Sequence, residues 1–90
     1  MRISEEKKEK IYEQILAFLF SLSPKPVFTV EIAREIARDE EFIKKLLLDL
    51  KDKKLVLEIK RNPQGITYKR RSRWRLSEAA YHYYKDKQPL

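Results

Sequence analysis

The sequence predicts an α+β fold, with helices in its first half, a β-hairpin after them and one more helix at the end. Two observations support this. Apolar residues recur at helical spacing in three blocks before Lys53, and from Leu55 the spacing changes to strict alternation around a single strong turn signal, Asn62-Pro63-Gln64-Gly65. With 90 residues and 42% apolar content the chain can build one core without staples, so it is expected to be a single domain over residues 1–90.

The first helix is expected over about residues 4–22. Ser4 followed by Glu5 and Glu6 makes a helix start, because the hydroxyl accepts an orphan backbone N–H and the acids complement the positive dipole end. Ile11, Ile15, Phe18 and Leu22 fall on one predicted core face, with Tyr12, Leu16 and Phe20 as a second stripe beside it. Together the two stripes span an arc of about 200°, wider than packing on one side requires. Either the C-terminal helix of the same chain or a second subunit must cover the second stripe.

Ser23-Pro24-Lys25-Pro26 ends this helix, since each proline lacks a donor and holds its predecessor extended. Val27-Phe28-Thr29 suits a short strand, and Thr29 is placed to cap a second helix, VEIAREIAR, with Ile32, Ala33, Ile36 and Ala37 on one side. Asp39 caps a third helix from Glu40 to about Lys53, whose inward stripe is Ile43, Leu47 and Leu50. The outward face carries Glu41, Lys44, Lys45, Leu48, Lys51 and Asp52.

The hairpin is expected over about residues 55–76. On its first strand Leu55, Leu57 and Ile59 alternate with Val56, Glu58 and Lys60. On the return strand Ile66, Tyr68, Trp74 and Leu76 share one face, and Lys69, Arg71, Arg73 and Arg75 share the other. A four-residue turn would set Ile59 opposite Tyr68 and Glu58 opposite Lys69. Ser77 then caps a last helix over about residues 77–87, in which Ala80, Tyr81 and Tyr84 can lie against helix 1.

Charge is distributed unevenly. Lys60, Arg61, Lys69, Arg70, Arg71, Arg73 and Arg75 are seven cations in one stretch without an acid, and the chain as a whole has 21 bases against 14 acids. The stretch Lys60 to Arg75 therefore accounts for the whole net charge of +7. An ordinary surface mixes both signs, so such a stretch points to a polyanionic partner, nucleic acid foremost. The excess of arginine suits bidentate phosphate contacts and entry into a narrow minor groove. Residues Glu31 to Lys53, by contrast, carry seven acids and six bases, so the helices alone cannot supply the affinity.

Thr29, Ile32-Ala33, Ile43, Leu47, Leu50 and Leu55-Val56, continuing through the hairpin to Leu76-Ser77, resemble the winged helix-turn-helix family of DNA-binding domains. The resemblance implies a three-helix core with a β-hairpin wing and an additional C-terminal helix, the helix-turn-helix covering about residues 29–53. It also implies that helix 3 enters the major groove, where Lys44 and Lys45 suit phosphates or guanine edges. One position departs from the family pattern: Lys54 stands where a glycine usually ends the recognition helix in a left-handed conformation, at a cost of about 1 kcal/mol. Glu40 and Glu41 sit at the positive end of helix 3, either accepting from a cytosine amino group or compensating the dipole. Leu48 is placed to meet a thymine methyl or a protein partner.

Several function classes find no support. There is no cysteine, and a lone histidine, His82, with no neighbouring carboxylate motif is by default neither a metal site nor a catalytic base, so no metal site or cofactor is expected. No phosphate loop, nucleophile elbow or paired-carboxylate motif points to an enzyme or a small-molecule substrate. The charged start MRISEEKKEK and the short apolar runs argue against a signal peptide or a membrane partner, which leads to the expectation of a cytoplasmic protein. The sequence thus predicts a double-stranded DNA binder, a transcriptional regulator or small chromatin-associated factor, with contacts from Lys44, Lys45 and the seven hairpin cations. A homodimer is expected through Tyr12, Leu16 and Phe20 of helix 1 with Tyr81 and Tyr84 of the last helix. The alternatives are structured RNA as partner, or a winged-helix protein-interaction module using Leu48, Phe20 and the tyrosine-rich last helix.

Overall fold

In the computed structural model, which describes residues 4–60 and 72–87, the elements follow the order α1 (Glu5–Leu22), β1 (Val27–Phe28), α2 (Thr29–Ile36), α3 (Glu40–Asp52), β2 (Val56–Ile59), β3 (Arg73–Leu76) and α4 (Glu78–Lys87). The three strands form an antiparallel sheet in the order β1-β3-β2. Ser4, Asp39 and Ser77 cap their helices as expected, accepting from the amides of Lys7, Phe42 and Ala80.

Thr29 does something else. It is the first residue of α2, not the residue before it, and its hydroxyl accepts from the indole N–H of Trp74 at 2.7 Å. The N-terminus of α2 is instead closed by Glu31, whose carboxylate accepts the Phe28 amide at 3.2 Å. A buried indole needs an acceptor more than this short helix needs a hydroxyl cap, because an unmatched donor in the core costs about 1–3 kcal/mol.

Helix α2 stops at Ile36, short of the expected Arg38. Ala37 turns left-handed at φ 61°, and the Arg38 amide donates back to Ala33 while the Ala37 amide donates to Arg34. Helix α3 ends the same way: Lys54 has φ 63°, with Leu55 donating to Leu50 and Lys54 to Lys51. Both are Schellman turns built without glycine. The left-handed position anticipated for Lys54 is therefore present, and Leu55, folded back by the turn, packs on the core edge.

The core joins Ile11, Ile15, Leu16 and Leu19 of α1 to Ile32 and Ala33 of α2, Ile43, Leu46, Leu47 and Leu50 of α3, and Val27, Val56, Trp74 and Leu76 of the sheet. In α1 the buried line is Ile11, Ile15 and Leu19 with Leu16 beside it, whereas Phe18 and Leu22 are only half-buried. The second stripe is partly covered within the chain, Tyr12 and Phe20 remaining half-buried. Leu16 is 7% exposed, the Tyr12 hydroxyl donates to Asp49 of α3 at 2.8 Å, and Phe20 packs on Tyr81 and Tyr84 of α4 with centroids 5.5 and 5.9 Å apart. The C-terminal helix, one of the two covers the sequence left open, thus lies over Phe20, whereas Tyr12 is met by α3.

The sheet register overturns the expected pairing. Glu58 lies opposite Trp74 rather than Lys69, and Ile59 opposite Arg73 rather than Tyr68; Tyr68, Lys69 and the Asn62-Pro63-Gln64-Gly65 turn lie outside the described residues. The two registers differ by an odd number, which exchanges the faces of β2. Val56 and Glu58 accompany Trp74 and Leu76 on the inner face, and Leu57 and Ile59 accompany Arg75 and Arg73 on the outer one. Alternation alone favours the leucine and isoleucine as the inward set. Glu58 can turn inward because cations receive it there. Removing the acceptor under Trp74 tests the central polar contact: Thr29→Val, which keeps the shape and deletes the oxygen, is expected to lower unfolding free energy by about 1–3 kcal/mol in urea titration.

Candidate nucleic-acid interface

Helix α3 buries Ile43, Leu46, Leu47 and Leu50, which turns Lys44, Lys45, Leu48 and Lys51 outward, as their spacing requires. Leu48 is 39% exposed and sits between Lys44 and Lys45 on one side and Lys51 on the other. An apolar spot framed by cations is the arrangement that major-groove contact uses, with ammonium groups for phosphates or guanine and a methyl-bearing side chain for base edges. At the N-terminus of α3 the picture reverses. Asp39 caps it, and Glu40 and Glu41 are exposed in the first turn, so the positive dipole end is already compensated and is a poor phosphate site.

Of the seven hairpin cations, Lys60, Arg73 and Arg75 are among the described residues. Arg73 and Arg75 lie on the outer face of the sheet, half-buried beside Phe28, Ile59 and Leu57, with one Arg75 guanidinium N–H 3.4 Å from the Leu76 carbonyl. The helical core lies against the opposite face, where Trp74 and Leu76 point. Lys60 is exposed at the end of β2. Arg61, Lys69, Arg70 and Arg71 lie outside the described residues.

A polar cluster that the sequence analysis did not single out joins α3 to the strands. The Glu58 carboxylate takes the Lys51 ammonium at 2.8 Å and the Ser72 hydroxyl, with the Lys60 ammonium 3.9 Å away. Its side chain is only 5% exposed. Burial by itself would raise its pKa, but the hydrogen bonds from Lys51 and Ser72 and the charges of Lys51 and Lys60 outweigh it and hold the carboxyl below the ordinary range. Lys51 and Glu58 are seven residues apart across a Schellman turn, so no helical or strand periodicity marks them as partners.

A second contact ties α1 to α3. Burial of Tyr12, its hydrogen bond to Asp49 and the charges of Asp49 and Glu5 push its phenol up to about 12. Lys53 lies over the same ring, 5.0 Å from its centroid. Among the described residues no group of acids, histidines and cysteines could hold a metal ion, and no helix is long and apolar enough to cross a membrane.

A helix-turn-helix, α2–α3, followed by an antiparallel sheet whose β2–β3 pair frames a basic segment, defines a winged-helix fold. Solved structures share it. A point mutant of MepR from a multidrug-resistant S. aureus clinical isolate superposes with a TM-score of 0.71 at 18% identity, over 90% of this chain and 56% of that one. S. aureus MepR in its DNA-binding conformation gives 0.65 at 20% identity, over 94% and 56%. The PcaV transcriptional regulator of Streptomyces coelicolor, in complex with its natural ligand, gives 0.64 at 22% identity, over 92% and 54%. The chain thus spans about half the length of these structures. No family model matches the sequence, and no curated protein does.

The Glu58 cluster generates a pH test. Because the folded state depresses this carboxyl below its unfolded value, its contribution to stability is fully present above the ordinary carboxylate range and is lost as pH falls through the folded pKa. Urea midpoints measured from neutral pH down to pH ~3 should fall more steeply for the wild type than for Glu58→Gln, which has no carboxyl to protonate.

Proposed function

We propose that this chain binds double-stranded DNA as a transcriptional regulator, placing the exposed face of α3 in the major groove and its basic segment along the phosphates. The observation that carries this reading is the pairing, on a winged-helix frame, of an α3 face bearing Lys44, Lys45 and Leu48 with a stretch that accounts for all of the +7 charge. The likeness to MepR in a DNA-binding conformation supports it. In this reading Lys60, Arg61, Lys69, Arg70 and Arg71 contact phosphates or the minor groove, and Lys44 and Lys45 face bases or phosphates. Arg73 and Arg75, half-buried on the outer sheet face, contribute mainly through their field.

With about four to six phosphates neutralised per protomer, log K should fall with log salt at a slope of about −4 to −5 in a duplex titration. A slope near zero would overturn the reading. If α3 reads bases, Lys44→Ala costs about 1–3 kcal/mol on a site selected from a random library and much less on unselected DNA.

We infer in addition that the protein pairs into a homodimer through α1 and α4. Leu16 is already inside the core, so the shared surface consists of Phe20, Tyr81 and Tyr84 at the core edge, the edge of Tyr12, and Tyr83, which is 60% exposed. Two symmetric copies suit a palindromic site. Sedimentation equilibrium at high micromolar concentration should show a dimer that Tyr83→Glu weakens, and a wild-type monomer there would remove this part of the reading.

A further inference from the structure

Two ammonium groups from different elements converge on one carboxylate oxygen. Lys51 Nζ, in the last turn of α3, is 2.8 Å from Glu58 Oε1, and Lys60 Nζ, just past the end of β2, is 3.9 Å from the same atom. Like charges so close repel one another, and Glu58 is what offsets that repulsion. Its position is unusual for an acid. It stands on the inner sheet face opposite Trp74, with its side chain 5% exposed and its second oxygen taken by the Ser72 hydroxyl.

The carboxylate therefore faces protein while the cations face water, their side chains being 45% and 61% exposed. Each ammonium has three donors, and contact with Glu58 leaves others directed outward. Lys44, Leu48 and Lys51 follow one another at helical spacing, so this pair lies where the exposed face of α3 ends and the basic segment begins. From these positions we infer a phosphate seat formed by Lys51 and Lys60 and assembled by the buried carboxylate of Glu58. Its occupant is a backbone phosphate of duplex DNA, between the part bound by α3 and the part bound by the hairpin. Glu58 is a positioning residue there, acting through the two lysines.

The assignment rests on the DNA-binding reading but makes its own prediction, because positioning and charge act in opposite directions. An acid beside bound phosphates repels them, so deleting its charge without consequence for geometry tightens binding. If Glu58 instead holds the lysines in place, deleting it weakens binding.

Random-sequence duplex DNA is titrated across a series of salt concentrations with wild type, Lys51→Met, Glu58→Gln and the double variant, each shown folded by its thermal melt. Lys51→Met should make the salt slope shallower by about 0.9, the share of one phosphate contact, and weaken binding severalfold at low salt. Glu58→Gln should weaken binding by a similar factor despite the gain in net charge, and should weaken it less once Lys51 is gone and only Lys60 is left to position. Lys51→Arg keeps charge and reach and should stay near wild type. If Glu58→Gln melts below the assay temperature, Glu58→Asp, which draws the carboxylate back by one methylene, takes its place with the same expected weakening. Binding by the Glu58 variant that equals or exceeds wild type, or an unchanged slope for Lys51→Met, overturns the assignment while the DNA-binding reading stands. A wild type that ignores duplex DNA even at low salt overturns both.

Discussion

The indole of Trp74 is the point on which the rest of the fold is registered. It sits in the central strand with no exposed surface, between Val27 on one side and Glu58 on the other, and its N–H finds its acceptor on the first residue of α2. One side chain thereby fixes the start of the helix-turn-helix against the middle of the sheet. The hydrogen bond is directional, so it sets a position as well as a distance. Once Trp74 faces inward, the register of β2 against β3 decides which of its residues go in with it, and Val56 and Glu58 are the ones chosen.

That choice has an electrostatic consequence. An inward acid is expensive unless it is matched, and Glu58 is matched from three sides: by the end of α3, by the residue after β2 and by the residue before β3. The same contacts brace the two stems of the basic segment against α3. Two turns without glycine complete the frame, since Ala37 sets where α3 departs from α2 and Lys54 returns the chain from α3 into the sheet. Each costs about 1 kcal/mol in left-handed strain, and the Schellman hydrogen bonds and the folded-back Leu55 help hold the second.

Much of this is legible in the sequence because it is local. Ser4, Asp39 and Ser77 cap the helices they precede, and the prolines after Leu22 end α1, whereas the left-handed turn at Lys54 was implied by the winged-helix resemblance. The outward set on α3 is equally readable, since helical spacing leaves little choice once Ile43, Leu47 and Leu50 point inward. Thr29 misleads for a reason that no window of sequence contains. A threonine before an amphipathic stretch looks like a cap, and only the arrival of Trp74, 45 residues later, gives its hydroxyl another partner.

By itself the sequence determined the element order, the caps of α1, α3 and α4 and the concentration of charge, because those depend on propensity, periodicity and neighbours a few residues apart. The tertiary structure decided the strand register, the cover over the second stripe of α1 and the meeting of Lys51, Glu58 and Lys60. Each of these is a contact between elements. Alternation in β2 is compatible with either face inward, and the turn at Lys54 brings Glu58 to the inner side within reach of Lys51, Lys60 and Ser72.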